Sequence, residues 1–393
     1  MQGNGFGMQK RLPGYFLQRR FSIGKIEYIF VAILIGLVLY SVYEKHAFLQ
    51  HYTPSKNPLA AKILIMWHFG LGESEFIERI KITGKKLNPA IDVRVISSKT
   101  KLKLQPRMAD YIDMAIKQFK PDFILALHNI DPKPGAPNYI TLTFAENVFI
   151  HSDENGKYKF NDARIGNFDA ILSAYKNIDN LKTAYEKHGK KLKHFRWYVT
   201  AHATNYAPAV PYRLFYSGGT PWDKTRGEDY KKIFSMLDQT GYFLVSGPKH
   251  RWRHTPSSLI GSLPIDGKSL LDYTNKAGIA LVLHSKTHLA GGIPTGRIFE
   301  AVSANVAIIT DKHPFIIEHF GNNVLYIDVE QSPEQVFQQI DTHVQWLLTN
   351  PQEAQRMAAK CHQIYQQKFS LEVQLTDLVA AHREWQQEKL AQK

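Results

Sequence analysis

The chain holds a single cysteine, Cys361, among 393 residues. One thiol forms no intrachain disulfide and no cysteine-based metal site, so disulfide scaffolds and zinc-finger architectures are excluded. No Asp-x-Asp tripeptide of the kind that holds Mn²⁺ or Mg²⁺ occurs. The 17 histidines are scattered and none lies in a His-Glu-x-x-His helix motif. These absences predict no metal and no other cofactor. Asn-x-Ser/Thr sequons are missing too, and with them one mark of a lumenal protein. Internal repeats are absent. So are Lys/Arg-rich aromatic modules, which argues against a nucleic-acid partner despite a formal net charge of +14. A basic surface facing anionic lipid or phosphorylated substrates accounts for the charge as well.

Long uncharged apolar runs are also scarce. One stands out, residues 28–43 (YIFVAILIGLVLYSVY), between Glu27 and Glu44. It is short for a full span, but interfacial tyrosines and snorkelling flanks extend its reach. A long basic lead and the lack of a small-x-small cleavage site argue against a signal peptide. The run reads as an uncleaved membrane anchor. Lys10, Arg11, Arg19, Arg20 and Lys25 precede it, against Lys45, Lys56 and Lys62 after it, so the positive-inside rule leans to a cytoplasmic N-terminus.

What is abundant is alternation. Hydrophobic residues make up 44% of the chain, which is globular, and its length suits two domains plus extra segments. Short apolar runs at 61–67, 92–97, 122–127, 139–144, 168–172 and 195–200 alternate with helical patterns at 73–86, 107–119 and 181–188. Residues 151–162 read as a charged surface loop. A segment with Pro208 and Pro211 follows, and the alternation restarts: strands at 213–217, 242–245, 279–284, 306–310 and 324–327, helices at 228–237 and 269–277. From Ser332 onward the pattern is nearly all helical. Such alternation implies mostly parallel sheets covered on both faces.

The most specific stretch is GGIPTGRIFEAVSANVAIITD, residues 291–311. It predicts a glycine-rich loop, a short helix and a buried strand. Gly292, Thr295 and Gly296 let backbone N–H groups approach a ligand, and the helix N-terminus beyond them favours a diphosphate. Arg297 is the first choice for a phosphate contact. Glu300, one turn in, can accept two hydrogen bonds from a vicinal diol; its bland alternative is a solvated helix glutamate. Diphosphate beside ribose points to a nucleotide-sugar donor.

Other donor-binding candidates follow strand ends, where α/β sheets take ligands. Gly218, Gly219 and Thr220 follow the first strand of the second unit, with Lys224 or Arg226 as cations for the leaving diphosphate. Lys249, with His250 and Arg251, follows the next strand. In the first unit His68 follows the first strand and His128 the third. Either is a candidate catalytic base for an acceptor hydroxyl, with Glu73 and Asp131 as carboxylate alternatives.

GRIFEAVSANVAIITD (296–311) resembles the donor motif of group 1 glycosyltransferases, also called glycosyltransferase family 4. HFGNNVLY (319–326) and WYVTAH (197–202) are similar to that family's continuation and its interdomain crossing. The resemblance spans most of residues 61–380, with specificity concentrated in the first motif. It implies an α/β protein with two doubly wound, Rossmann-like domains of GT-B type and an N-terminal membrane anchor helix. The expected layout is a basic tail (1–26), anchor helix (27–44), linker (45–60), acceptor-side domain (61–205), donor domain (206–365) and a C-terminal helix crossing back (366–393). The sequence departs from the family at one point. The family carries two glutamates eight positions apart, and counting back eight from Glu300 reaches Gly292.

The implied activity is metal-independent glycosyl transfer from a nucleotide-sugar co-substrate to a glycan or glycolipid acceptor, with membrane lipid as a further partner. The alternatives are a nucleotide-sugar epimerase on the same fold and a catalytically inactive GT-B scaffold. Because nucleotide sugars are made in the cytoplasm, a short, monotopic anchor with the catalytic part on the cytoplasmic face is expected.

Overall fold

Runs such as Ile63-Leu64-Ile65-Met66 and Phe123 to Leu127 are buried at every consecutive residue. Only strands covered on both faces need this, and that condition goes with parallel pairing. The computed structural model describes residues 23–53, 59–67, 71–97, 108–127, 140–144, 150–152, 158–160, 169–174, 178–187, 189, 191–218 and 228–391.

Helix α1 (Ile23–His51) forms a unit of its own. Its stretch Tyr28–His51 is long and apolar enough to cross a membrane: 24 residues, mean hydropathy 1.6, with its most apolar 18-residue window fully unburied. At 1.5 Å per residue that is about 36 Å, against roughly 30 Å of hydrocarbon.

In the rest of the chain, the first sheet is built from β1 (Leu59–Trp67), β2 (Ala90–Ser97), β3 (Phe123–Leu127), β4 (Ile140–Phe144), β7 (Ala170–Ser173) and β8 (His194–Arg196). Their order is β2-β1-β3-β4-β7-β8, all parallel. Helices α2 (Leu71–Lys86), α3 (Met108–Phe119) and α4 (Asp179–Lys187) connect them. The expected loop at 151–162 is corrected: β5 (Ile150–Ser152) and β6 (Tyr158–Phe160) pair antiparallel across it. The hairpin signal was present as Asn155-Gly156 in the sequence between them. Three-residue strands rich in polar side chains carry too little periodicity to be read otherwise.

The second sheet comprises β9 (Arg213–Ser217), β10 (Phe243–Ser246), β11 (Leu259–Gly261), β12 (Gly278–Val282), β13 (Ala307–Asp311) and β14 (Leu325–Ile327). Its order is β11-β10-β9-β12-β13-β14. Counted within this sheet that is 3-2-1-4-5-6, the dinucleotide-binding winding, with the switch point between β9 and β12. Around it lie α5 (Glu228–Leu237), α6 (Ser269–Ala277), α7 (Lys286–Gly291), α8 (Gly296–Ser303) and α9 (Pro314–Phe320). Gly278 ends α6 at φ +81, and a Cβ there would lie 2.1 Å from the Val210 carbonyl. Glycine alone lets the interdomain segment pass so close.

Helices α10 (Pro333–Thr349), α11 (Pro351–Lys368) and α12 (Leu371–Ala391) complete the chain. A Ser332–Gln335 capping box with Pro333 starts α10. Cys361 is buried on α11, its Sγ 3.3 Å from the Asn323 carbonyl, and burial pushes its thiol up to about 12. Leu371, Leu375, Leu378, Val379 and Trp385 of α12 join the core of the first sheet, beside Ile63, Phe76 and Phe123. The two chain crossings between the sheets are tied together. Tyr198 N donates to Gln374 Oε1 (2.8 Å), Thr200 Oγ1 to the Phe369 carbonyl (2.8 Å), and Ala203 N to Glu372 Oε2 (2.7 Å).

Candidate functional site

The carboxyl ends of β9 and β12 meet at the switch point, and the site is organised there. Arg297, on the first turn of α8, closes it. Its Nε donates to the Ser217 carbonyl (2.5 Å) and its Nη1 to Thr295 Oγ1 (3.2 Å), while the guanidinium lies 4.9 Å over the Tyr216 ring. Thr295 is the N-cap residue of α8, in extended conformation. The next turn of α8 brings Glu300 to the same side. Ser217, Thr274, Arg297 and Glu300 line a cleft of about 230 Å³, counting space open to solvent. The cleft therefore combines a fixed cation and a carboxylate carried by one short helix.

Glu300 is not the solvated helix glutamate of the bland alternative. Its side chain is 18% exposed, and Oε1 accepts from Nη1 of Arg79 at 3.0 Å. Arg79 belongs to α2, under the first sheet, so the pair joins the two domains. Arg79 Nη2 also donates to Glu75 Oε1 (3.2 Å), and Glu75 Oε2 accepts from Gly267 N (3.2 Å). Burial raises the Glu75 carboxyl above its ordinary value, partly opposed by Arg79.

Beside the glycine-rich loop lies a buried histidine cluster. His284 follows β12, and Asp311 ends β13. Asp311 accepts from the His284 backbone N–H (2.7 Å) and its Oδ1 is 2.6 Å from His284 Nδ1. His313 stacks on His284 with ring centres 4.3 Å apart. Burial, then the neighbouring His284, pushes the His313 ring down to about 4. Its Nδ1 accepts from Phe315 N and so caps α9. These groups hold the loop that carries Ser285, whose side chain caps α7.

Of the candidates from sequence, the structure brings Gly218, Thr295, Arg297 and Glu300 together. A Cβ on Gly218 would lie 2.8 Å from the Tyr216 ring and 3.3 Å from Arg297 Nη2, so its small size makes room for the cation. Gly292 terminates α7 at φ +62. Gly296 makes room for the interdomain crossing: a Cβ would lie 3.1 Å from the Val199 carbonyl. Lys249 is exposed after β10, one strand from the switch point. Glu73 lies in the first turn of α2. His68, His128, Asp131, Gly219, Thr220, Lys224 and Arg226 fall outside the described residues. Arg79 and Glu75 escaped the sequence reading. Their i,i+4 spacing signals a helix pair, but nothing local says that the other domain covers it.

Two doubly wound parallel sheets, with a crevice at the switch point of the second, define a GT-B fold. Residues 214–380 match the family described as glycosyl transferase-like, a span that holds Arg297 and Glu300. The chain thus carries a glycosyltransferase-like domain and is similar to group 1 enzymes. A glycosyltransferase from Rickettsia africae ESF-5 superposes with a TM-score of 0.50 at 11% identity, covering 82% of this chain and 98% of that one. Sucrose-phosphate synthase from Thermosynechococcus elongatus gives 0.49 at 11% identity, covering 82% and 98%. A UDP-N-acetylglucosamine 2-epimerase gives 0.42 at 14% identity, covering 77% and 91%. At these identities the likeness is one of fold. No curated protein matches the chain in sequence.

Proposed function

We propose that the protein transfers a sugar from a nucleotide diphosphate donor to a hydroxyl of a glycan or glycolipid acceptor at a membrane. The observation that carries this reading is the pairing of Arg297 and Glu300 on one short helix at the switch point. The donor diphosphate lies toward the α8 N-terminus and Arg297, whose charge stabilises it as it leaves. The Glu300 carboxylate accepts from the ribose hydroxyls. The acceptor O–H gives its proton to a base of the first domain, drawn from His68, His128, Glu73 and Asp131. The new C–O bond forms as the bond from sugar to phosphate breaks. No metal enters this scheme. Helix α1 serves as the anchor, and the domains work at the cytoplasmic face.

The test is binding of nucleoside diphosphates to the full chain in detergent, read as thermal stabilisation. A ligand at 100 times its Kd adds about 2.7 kcal/mol. One base is expected to raise Tm clearly above the others, and the corresponding nucleotide sugar to release its diphosphate when acceptor is added. Absence of a shift with every nucleoside diphosphate would overturn the reading. Diphosphate binding without turnover on any acceptor would favour the scaffold instead.

A further inference from the structure

The Glu300 carboxylate receives its partner from the opposite domain. Among the described residues the hydrogen bond to its side chain comes from Arg79, at 3.0 Å. Arg79 is itself fixed: its side chain is 3% exposed, and its second arm holds Glu75 one turn earlier on α2. Glu75 in turn accepts from Gly267 N, so the bridge is anchored to the second domain at two places. The backbones are pressed together there. Gly267 has φ +79, and a Cβ would lie 2.8 Å from Ile82 Cδ1 and 3.2 Å from Arg79 N. This is a built contact, unlike a surface ion pair between two mobile chains.

A glutamate that must meet two hydroxyls loses rotamer freedom when it binds. A planar guanidinium that grips one oxygen in advance removes that loss. Each carboxylate oxygen still has lone pairs to offer, and Oε2 is not used by Arg79.

We infer that Arg79 is a positioning residue for ribose recognition: from the first domain it holds Glu300 by Oε1 and presents Oε2 to the vicinal hydroxyls of the donor. The inference rests on the nucleotide-sugar reading of this site. It makes selectivity for the donor's ribose depend on the apposition of the two domains, although every other donor contact proposed lies in the second.

The experiment measures calorimetric affinities of the full chain, in detergent, for ribonucleoside diphosphates and their 2′-deoxy counterparts. The wild type is expected to prefer the ribo form by about tenfold, a difference of about 1.4 kcal/mol. Arg79→Gln should bring that ratio to near one while leaving affinity for the deoxy form nearly unchanged. Glu300→Gln should do the same, and the double variant should lose nothing further. A merely structural Arg79 would weaken both ligands together. If Arg79→Gln does not fold, Arg79→Lys carries the test, since an ammonium on a flexible stem lacks the rigid fork that fixes Glu300 while holding Glu75, and its ratio should still fall. A wild-type ratio in the folded variant overturns the inference and leaves the nucleotide site standing. So does tighter binding of both ligands, which would make Arg79 a competitor of the donor. A wild type that binds no nucleoside diphosphate sinks the site reading, and the inference with it.

Discussion

At Glu300 one carboxylate serves two demands, a structural ion pair and a proposed ligand contact. Glu300→Gln keeps the shape and removes the charge. Because Arg79 retains Glu75, the fold should survive, with a Tm close to wild type. Donor affinity should fall about tenfold, a loss of about 1.4 kcal/mol that lies at the lower edge of the roughly 1.5–3 kcal/mol of a charged hydrogen bond; unchanged affinity in titration calorimetry would reassign the residue to structure alone. His313 offers a second residue-scale outcome. Its folded value, pushed down to about 4, lies below the unfolded 6.5, so between these pH values the unfolded chain holds the proton and the folded one does not. The stability from its burial is complete above pH 6.5 and is lost as pH falls toward 4. Glu75 and Glu372, raised by burial, act in the opposite sense. A His313→Asn variant keeps a cap acceptor for α9 and removes the titration. It should take up about one proton fewer on unfolding near pH 5, measured from the pH dependence of urea unfolding. Arg297 and Glu300 were legible because they follow glycines at a helix start. Arg79 was not, because its proposed role is set by Glu300, 221 positions away.

The elements were legible in proportion to their burial. Strands such as β3 and β12 are apolar throughout and were found within a residue or a few. The hairpin of β5 and β6 and the short β11 and α7 have no such run and were missed. Helix α12 shows what continuous burial implies energetically. Leu371, Leu375, Leu378 and Val379 are each at most 5% exposed. At about 1.5–3 kcal/mol each they contribute roughly 6–12 kcal/mol, against a typical domain stability of about 5–15 kcal/mol. A chain ending at residue 370 should therefore be insoluble or show no cooperative thermal transition. A normal calorimetric transition with wild-type nucleotide affinity would contradict this.

On the scale of the whole molecule, the GT-B architecture followed from two blocks of alternating strands and helices, and the motif at 296–311 falls in the second, within the residues that match the glycosyl transferase-like family. Helix packing between the domains was beyond reach, since it depends on which surfaces face each other after folding. The proposed topology has its own check. In sealed vesicles with the cytoplasmic side outward, added protease should digest the two domains; full protection would place them on the other face. The buried Cys361 has a different consequence. A thiol that is unique in the chain and buried between α11 and the Asn323 carbonyl reacts with an alkylating reagent only in molecules where that packing has opened. The native protein thus carries its own clock, readable by mass spectrometry as one adduct per chain. With excess reagent, labelling should follow the opening equilibrium and slow when a nucleoside diphosphate saturates the second domain. The same measurement would report ligand binding without a substrate, a dye or an engineered label.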